Sequence, residues 1–456
     1  MIECIPTERK NDAIRLLQFL VHSKRPLKLT EAKEVIATQI ENESRGFNIK
    51  RRLFCETDVL GYCPGLVTIV HATDKELHLA HFSVKEYLVR EDQFEITTAS
   101  MSITRTYLTY LTDINGSHRA IKRDFPMARR AAKVWTGHAV ALAQTSEDID
   151  RVTIRFLEDE ATFQRWTHLY QPDRGWDDNP GPPRGSRLYY ACFVGLVVPA
   201  RDLISKGVDI NAQGGVHGNA LQAASWGGYQ EIVELLLEKG ADVNAQGGRN
   251  GNALQAASER GYQEIVELLL DRADVNVQSG LHGNALQAAS RNGYQEIVEL
   301  LLDKGADVNA QGGPDGNALQ AASEGGHQDI VKLLLDKGTY VNAQGGVHGN
   351  ALQAASEGGY QEIVELLLEK GADVNAQGGR NGNALQAASK GGHQEIVKLL
   401  LDRGADDNTQ GRRNGNALQA ASRYGYQEIV ELLLDKGADV NAQGGPDGNA
   451  LQAASE

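Results

Sequence analysis

Apolar positions in residues 185–456 fall into two kinds of short run that follow one another in fixed order. One is small and Ala-rich, as in Ala220, Leu221, Ala223 and Ala224; the other is bulky, as in Ile232, Val233, Leu235, Leu236 and Leu237. The glycine break Gly227-Gly228 separates them, and Gly240 with a polar loop closes the period. The octet Gly-Asn-Ala-Leu-Gln-Ala-Ala-Ser begins at Gly218 and returns at Gly251, Gly283, Gly316, Gly349, Gly382, Gly415 and Gly448, a spacing of 33 residues broken once by 32. Asn219 and its counterparts can cap the first run, because the side-chain oxygen accepts from free amides of a first helical turn. Each period therefore predicts two antiparallel helices and a turn. Such a unit cannot bury its apolar face alone, so the units must stack into a solenoid. A diverged unit precedes the octets, with Gly185, Leu188, Ala191, Gly195, Leu203, Gly207 and Asn211 in register, giving nine units of which the last is incomplete.

The first 184 residues have no such period. Apolar residues fall at helical spacing over residues 12–22 (Ile14, Leu17, Phe19, Leu20, Val21), and a second helix is predicted to start near Thr30 with Glu31 in its first turn. Residues 66–71 and 76–82 are β-rich and flank Thr73-Asp74-Lys75, which predicts a hairpin. Helices followed by a hairpin predict a small winged-helix-like α/β module over residues 1–95. Residues 96–171 read as an all-helical connector, with Ile103, Tyr107, Leu108 and Leu111 on one face and a helix start at Ser146. Residues 172–184, rich in proline and glycine, cannot hold helix and read as a linker to the repeats of residues 185–456. The predicted fold class is mostly α.

Charge narrows the function. Residues 1–184 are close to neutral, so nearly all of the net charge of −14 lies on the repeats. An acidic solenoid cannot exchange counterions with phosphates, which excludes nucleic acid as its partner. No run of about 18 apolar residues exists, so no membrane partner is expected. Cys4, Cys55, Cys63 and Cys192 fit no disulfide framework, and with no signal peptide a reducing, cytoplasmic location is expected. His71, His78 and His81 with Cys55 and Cys63 match no zinc spacing, so no metal is expected, and no cofactor. The glycine-rich loop Gly214-Gly215-Val216-His217-Gly218 could suggest phosphate cradling, but its repetition marks it as a structural turn.

The repeat resembles the ankyrin repeat, and Gly240 to Ala245 match that family's Gly-Ala-Asp-Val-Asn-Ala ending. Asn219, Ala220 and Gln222 stand where the family has Thr, Pro and His, which leaves open whether Gln222 reproduces the family's Thr-His bridge. Leu79-Ala80-His81-Phe82-Ser83-Val84-Lys85-Glu86-Tyr87-Leu88 resembles the end of the winged-helix domain in NACHT-type (STAND) signalling NTPases. Lys24-Arg25-Pro26-Leu27 and Cys63-Pro64-Gly65-Leu66 agree with that resemblance, and Phe125-Pro126-Met127-Ala128-Arg129 with Ala132 through Ala139 resembles the helical connector of filamentous-fungal NACHT-ankyrin proteins. The resemblance implies that His81 would reach the diphosphate of ADP in a parent protein with an NTPase domain. No Gly-x-x-x-x-Gly-Lys-Ser/Thr occurs, so this chain is not expected to be an enzyme by itself. It reads as a fragment or truncated gene model of a larger receptor, with a possible intramolecular contact to a missing NTPase domain.

Comparing the copies locates the candidate binding site, because packing positions hardly change and variation is confined to two places. One is the loop pair before each octet: Val216-His217, Arg249-Asn250, Leu281-His282, Pro314-Asp315, Val347-His348, Arg380-Asn381, Arg413-Asn414 and Pro446-Asp447. The other follows the octet: Trp226, Glu259-Arg260, Arg291-Asn292, Glu324, Glu357, Lys390 and Arg423-Tyr424. The resemblance implies that these are finger tips and inner-helix ends on a concave face where a protein partner docks; neutral drift at exposed positions is the alternative. Trp226 favours binding, since an exposed tryptophan is costly unless it meets something.

The expected function is non-catalytic protein recognition, as the sensor and autoinhibitory half of a NACHT-type receptor in non-self recognition or cell-death signalling. The alternatives are part of a nucleotide-dependent ATPase switch, or a constitutive scaffold. Three departures predict weak points: Asp271-Arg272-Ala273 lacks the usual glycine, Asp407 replaces valine and its loop should rearrange or open, and the last unit should fray.

Overall fold

The computed structural model describes the whole chain except Met1, residues 42–44, Phe54, residues 72–73, 143–144, 412–414 and 445–447, and Glu456. It forms two compact units, Met1–Val216 and His217–Glu456.

In the first unit, helix Lys10–His22 turns Ala13, Leu16, Leu17 and Phe19 inward at full burial. Helix Leu29–Ala37 follows, and the Glu31 carboxylate accepts from the Lys28 amide at its start. The hairpin forms as Val67–His71 against Lys75–Leu79, with Ile69 opposite Leu77, and Leu27–Lys28 adds a third strand on the far side of Lys75–Leu79. Its predicted turn residue Thr73 lies outside the described residues. The second strand ends at Leu79, not at Phe82 as the β-rich run suggested. His81 instead caps helix Phe82–Leu88, its Nδ1 accepting from the Ser83 amide at 3.2 Å.

Helices Ile96–Asp113, His118–Asp124, Ala128–Ala141, Glu147–Glu158 and Glu160–Leu169 come next. Ile103, Tyr107, Leu108 and Leu111 are all buried. Trp135 and Trp166 fill the core between these helices edge to face, and the Trp166 indole donates to the Ala132 carbonyl at 2.9 Å. The proline-rich segment is anchored by side chains: Gln171 donates to the carbonyls of Gly181 and Pro182, and buried Asp173 accepts from the Tyr189 hydroxyl and the Val216 amide. The diverged helical pair Arg187–Val194 and Val197–Ser205 completes this unit.

The second unit repeats one hairpin of helices, beginning with Ala220–Gly227 and Gln230–Glu238. Each first helix opens on a reciprocal cap. The Asn317 side chain accepts from the Gln320 amide while the Gln320 side chain accepts from the Asn317 amide, and every octet does the same. The question of the glutamine is answered here: Gln320 also donates to Ala343 and Gly349 of the next unit at 3.1 and 2.8 Å, tying neighbours together. Ala and Ser let successive first helices approach closely, whereas Ile, Val and Leu hold the second helices apart. The stack therefore bends toward the first-helix side. Within a second helix such as Gln295–Asp303, Ile297, Val298 and Leu301 are the buried residues, as a period of 3.6 requires.

The loops pair in the same way from unit to unit. Gly312 donates to Gly316 across each tip, and the Asn309 side chain accepts from the Tyr340 amide and donates to the Gly338 carbonyl of the next unit. Asp407 does not open its loop but rearranges one bond: the Asn408 side chain donates to the Asp407 carboxylate, where Asn309 and Asn375 donate to a carbonyl of the next unit. The valines at that position are themselves no more than half-buried, and the inter-unit bond from the Asp406 amide to Asn375 persists. At the missing glycine, helix Gln263–Leu270 stops one residue early and Arg272 donates to the Leu237 carbonyl of the preceding unit. The last helix, Ala450–Ala453, leaves Leu451 79% exposed.

Two glycines separate conformational demand from close packing. Gly404 (φ +86°) has nothing within 4 Å of where a Cβ would stand, whereas at Gly379 (φ +61°) a Cβ would lie 2.2 Å from the His348 backbone of the preceding unit. Gly404→Ala should cost about 1 kcal/mol for its left-handed backbone. Gly379→Ala should cost ~3 kcal/mol or more, because two loops must separate. Urea denaturation of the two variants checks the difference.

Candidate functional site

The variable positions do not form one exposed set. Each loop pair splits at its tip, and the two residues go opposite ways. Arg249, Leu281, Pro314 and Arg380 point to solvent and Val347 is half-buried, while Asn250, Asp315 and Asn381 are 4%, 6% and 4% exposed. His217 is also buried, and His282 and His348 are partly so. Arg413, Asn414, Pro446 and Asp447 lie outside the described residues. Val216 lies in the first unit, its amide held by Asp173.

The inward residues meet the residues that follow each octet, and together they make a continuous ladder along the first-helix side. It begins with Trp226, stacked on the His217 ring at 4.8 Å and covered by the Arg260 guanidinium, also at 4.8 Å. The expectation of an exposed tryptophan is thus corrected: Trp226 is half-buried, and these contacts supply stacking and cation–π attraction within the unit. His217 reaches the Asn250 side chain at 2.8 Å, and Asn250 donates to Glu259. His282 then stands between Glu259 at 3.5 Å and Asp315 at 3.3 Å. Arg291 joins Asp315 at 2.6 Å to Glu324 at 2.6 Å. His348 stands between Glu324 at 3.3 Å and Glu357 at 2.8 Å. Glu357 also takes Asn381 at 2.8 Å and Lys390 at 2.6 Å. Asn292 and Tyr424 are exposed and Arg423 is half-buried.

The ladder is electrically self-consistent. Its carboxylates are Glu259, Asp315, Glu324 and Glu357; opposite them stand Arg291, Lys390, His282 and His348. These four carboxylates are matched one for one when both histidines are protonated, while Arg260 lies apart on the Trp226 ring. Hydrogen bonds that the imidazole donates to Asp315 and Glu259 hold the His282 pKa up at about 9, against the pull of burial. Glu324 and Glu357 do the same for His348, also to about 9. In return Glu357 is held down to about 2, chiefly by His348, and Glu324 to about 2, where burial would raise it but His348 and Arg291 prevail. Sequence comparison found these positions but not their pairing. The signal was present in the spacing: partners recur at offsets of 9, 24 and 33 residues, the within-unit and neighbouring-unit distances of this fold.

The repeats and the N-terminal module match known families. Ankyrin-repeat models match residues 246–312, 311–378 and 375–444, and a further ankyrin model matches residues 221–270. The second unit is an array of ankyrin repeats. Residues 2–99 match the winged helix domain of GPI inositol-deacylase, which makes the N-terminal module a winged-helix domain. The chain is also similar to azaphilone pigments biosynthesis cluster protein L of Monascus ruber, 35% identical over 258 residues, 49% of this chain and 54% of that one. It therefore spans about half the length of that relative. Ankyrin repeats imply protein–protein interaction, and the architecture of the array points to a binding scaffold.

Elsewhere the candidate chemistry is structural. Cys63 is buried, and burial pushes its thiol up to about 12; His78 pairs with Glu76 at 3.0 Å. Among the described residues no helix is long and apolar enough to cross a membrane.

Proposed function

We propose that this protein recognises a protein partner along the concave, first-helix side of its ankyrin array, without catalysis, as the sensor and autoinhibitory half of a NACHT-type signalling receptor. One observation carries the reading. Residues that vary from copy to copy on an otherwise constant frame are gathered by stacking into a single row from Trp226 to Lys390. Such a row offers a partner a long, ordered charge pattern fringed by the exposed tips Arg249, Leu281, Pro314 and Arg380. The signalling role draws on the order of modules, a winged helix ahead of ankyrin repeats, together with the sequence resemblance around His81. In that role the winged helix and connector relay occupancy of the array to an NTPase domain, with His81 as its diphosphate contact.

Site-specific photo-crosslinking in living cells tests the recognition surface. A crosslinker at Leu281 or Arg380 should capture one and the same discrete protein, and one at Glu299 on a second helix should not. Arg249→Glu with Arg380→Glu should reduce that capture about tenfold or more. Equal capture from Glu299, or no effect of the charge reversals, would remove the concave row from the mechanism.

A further inference from the structure

We infer that the first unit holds an anion site, built for a phosphate-bearing small molecule, in the cleft between the turn after helix Lys10–His22 and the outer side of helix Ala128–Ala141. This cleft of about 460 Å³ lies within the size range of small-molecule sites. Its walls carry Lys24, Arg25, Arg130, Lys133, His22 and His138, and no acidic residue lines it.

The charge is uncompensated. Arg130 is nearly buried and ties the turn down, donating to the carbonyls of Arg25 and Pro26, to the Tyr107 hydroxyl and to Glu31. Arg25 holds the same Glu31 carboxylate through two bonds, of 2.6 and 3.0 Å. Two guanidiniums against one carboxylate leave one positive charge, and Lys24 and Lys133 add two more, since the Asp178 carboxylate whose charge reaches Lys133 is already paired with Arg129. Three net cationic charges thus converge on one concavity, in a chain whose overall charge is −14. A cleft lined by one sign of charge concentrates counter-ions of the other, and a phosphate dianion answers this set better than a carboxylate. Val134, Thr136 and Gly137 give the cleft an uncharged floor that admits the organic part of an ester.

His138 supplies an internal reporter. Its Nδ1 faces Ser100 Oγ at 3.3 Å, and burial, followed by the charges of His22, Arg130 and Lys24, lowers its pKa to about 4. A bound anion offsets those cations, so occupancy must raise the pKa of this imidazole.

The test uses the full chain at constant ionic strength maintained with sodium chloride. Inorganic pyrophosphate and, separately, phenyl phosphate are titrated while thermal stability and the His138 imidazole resonances, assigned through His138→Gln, are followed by calorimetry and NMR. Saturable stabilisation is expected, with the His138 midpoint rising by ~1 pH unit. Lys24→Ala with Lys133→Ala should weaken binding about tenfold, while Lys50→Ala, in the exposed turn Ile49–Arg51, should leave it unchanged. Both lysines are exposed, so the double variant should fold normally. Binding of pyrophosphate alone would make the ligand an inorganic phosphate; binding of phenyl phosphate would make it an ester. Either supports the site. Stabilisation no greater than that of chloride, an unmoved His138, or full binding by the double-lysine variant would overturn it.

Discussion

Gln320→Ala should lower the stability of the array by about 3 kcal/mol, as two neighbouring units lose their joint while a buried cap is opened. The Gln320 side chain is almost fully buried and makes four hydrogen bonds: it accepts from the Asn317 amide and donates to the carbonyls of Ala343, Gly345 and Gly349. Alanine fills none of that space and takes the side-chain donor away from the Ala343, Gly345 and Gly349 carbonyls, of which Gly349 keeps its bond from the Gly345 amide. Gln320→Glu should be at least as damaging, because it sets a carboxylate oxygen against carbonyl oxygens. Gln361→Ala is the comparison, since that side chain is exposed and among the described residues bonds to Glu365 alone, one turn away; a change within ~0.5 kcal/mol is expected there. Urea denaturation gives the stabilities, and hydrogen exchange should show lost protection at Gly345 and Gly349 in Gln320→Ala. Equal effects of the two alanine substitutions would refute the bridging role.

Stability of the array should fall as pH rises from neutrality through about 9. The sign follows from the histidines. His282 and His348 are held above their ordinary value of 6.5 in the folded chain, so their contribution is complete below 6.5 and disappears as pH climbs through about 9. The carboxylates work the other way. Glu324 and Glu357 are held near 2, below their ordinary 4.5, so their contribution is complete above 4.5 and is lost as pH falls through about 2. The ladder is therefore strongest between 4.5 and 6.5. Each histidine is worth on the order of 2–3 kcal/mol, shared with its carboxylate partners. His282→Gln with His348→Gln should be less stable than the parent at ~pH 6, and the difference should vanish by ~pH 10. Denaturation midpoints measured across that range decide it; a constant difference would mean that the histidines act by shape and not by charge.

The alkaline loss and the glutamine joint differ in how far they could be read from the chain itself. The glutamine was visible as an invariant letter of the octet, and its cap with Asn follows from a spacing of three. Its donation to the next unit depends on how closely the loops stack. The histidines were visible only as variable letters, and variability suggested exposure. Asn250, Asp315 and Asn381 are instead buried, because the hairpin tip turns alternate residues to opposite sides. Asp407 shows the reverse error. A valine position suggested a dry environment, yet the loop leaves every copy half-exposed, so a carboxylate is accommodated there.

Local chemistry therefore fixed the number of hairpins, their caps, the glycine turns and the order of modules, since each depends on residues within one turn or one period. Which variable side chains face one another, which of the two tip residues goes inward, and where unbalanced cations collect around a cleft depend on atoms brought together from distant stretches of chain. Only stacking sets those distances, and with them the pKa values of His282, His348 and His138.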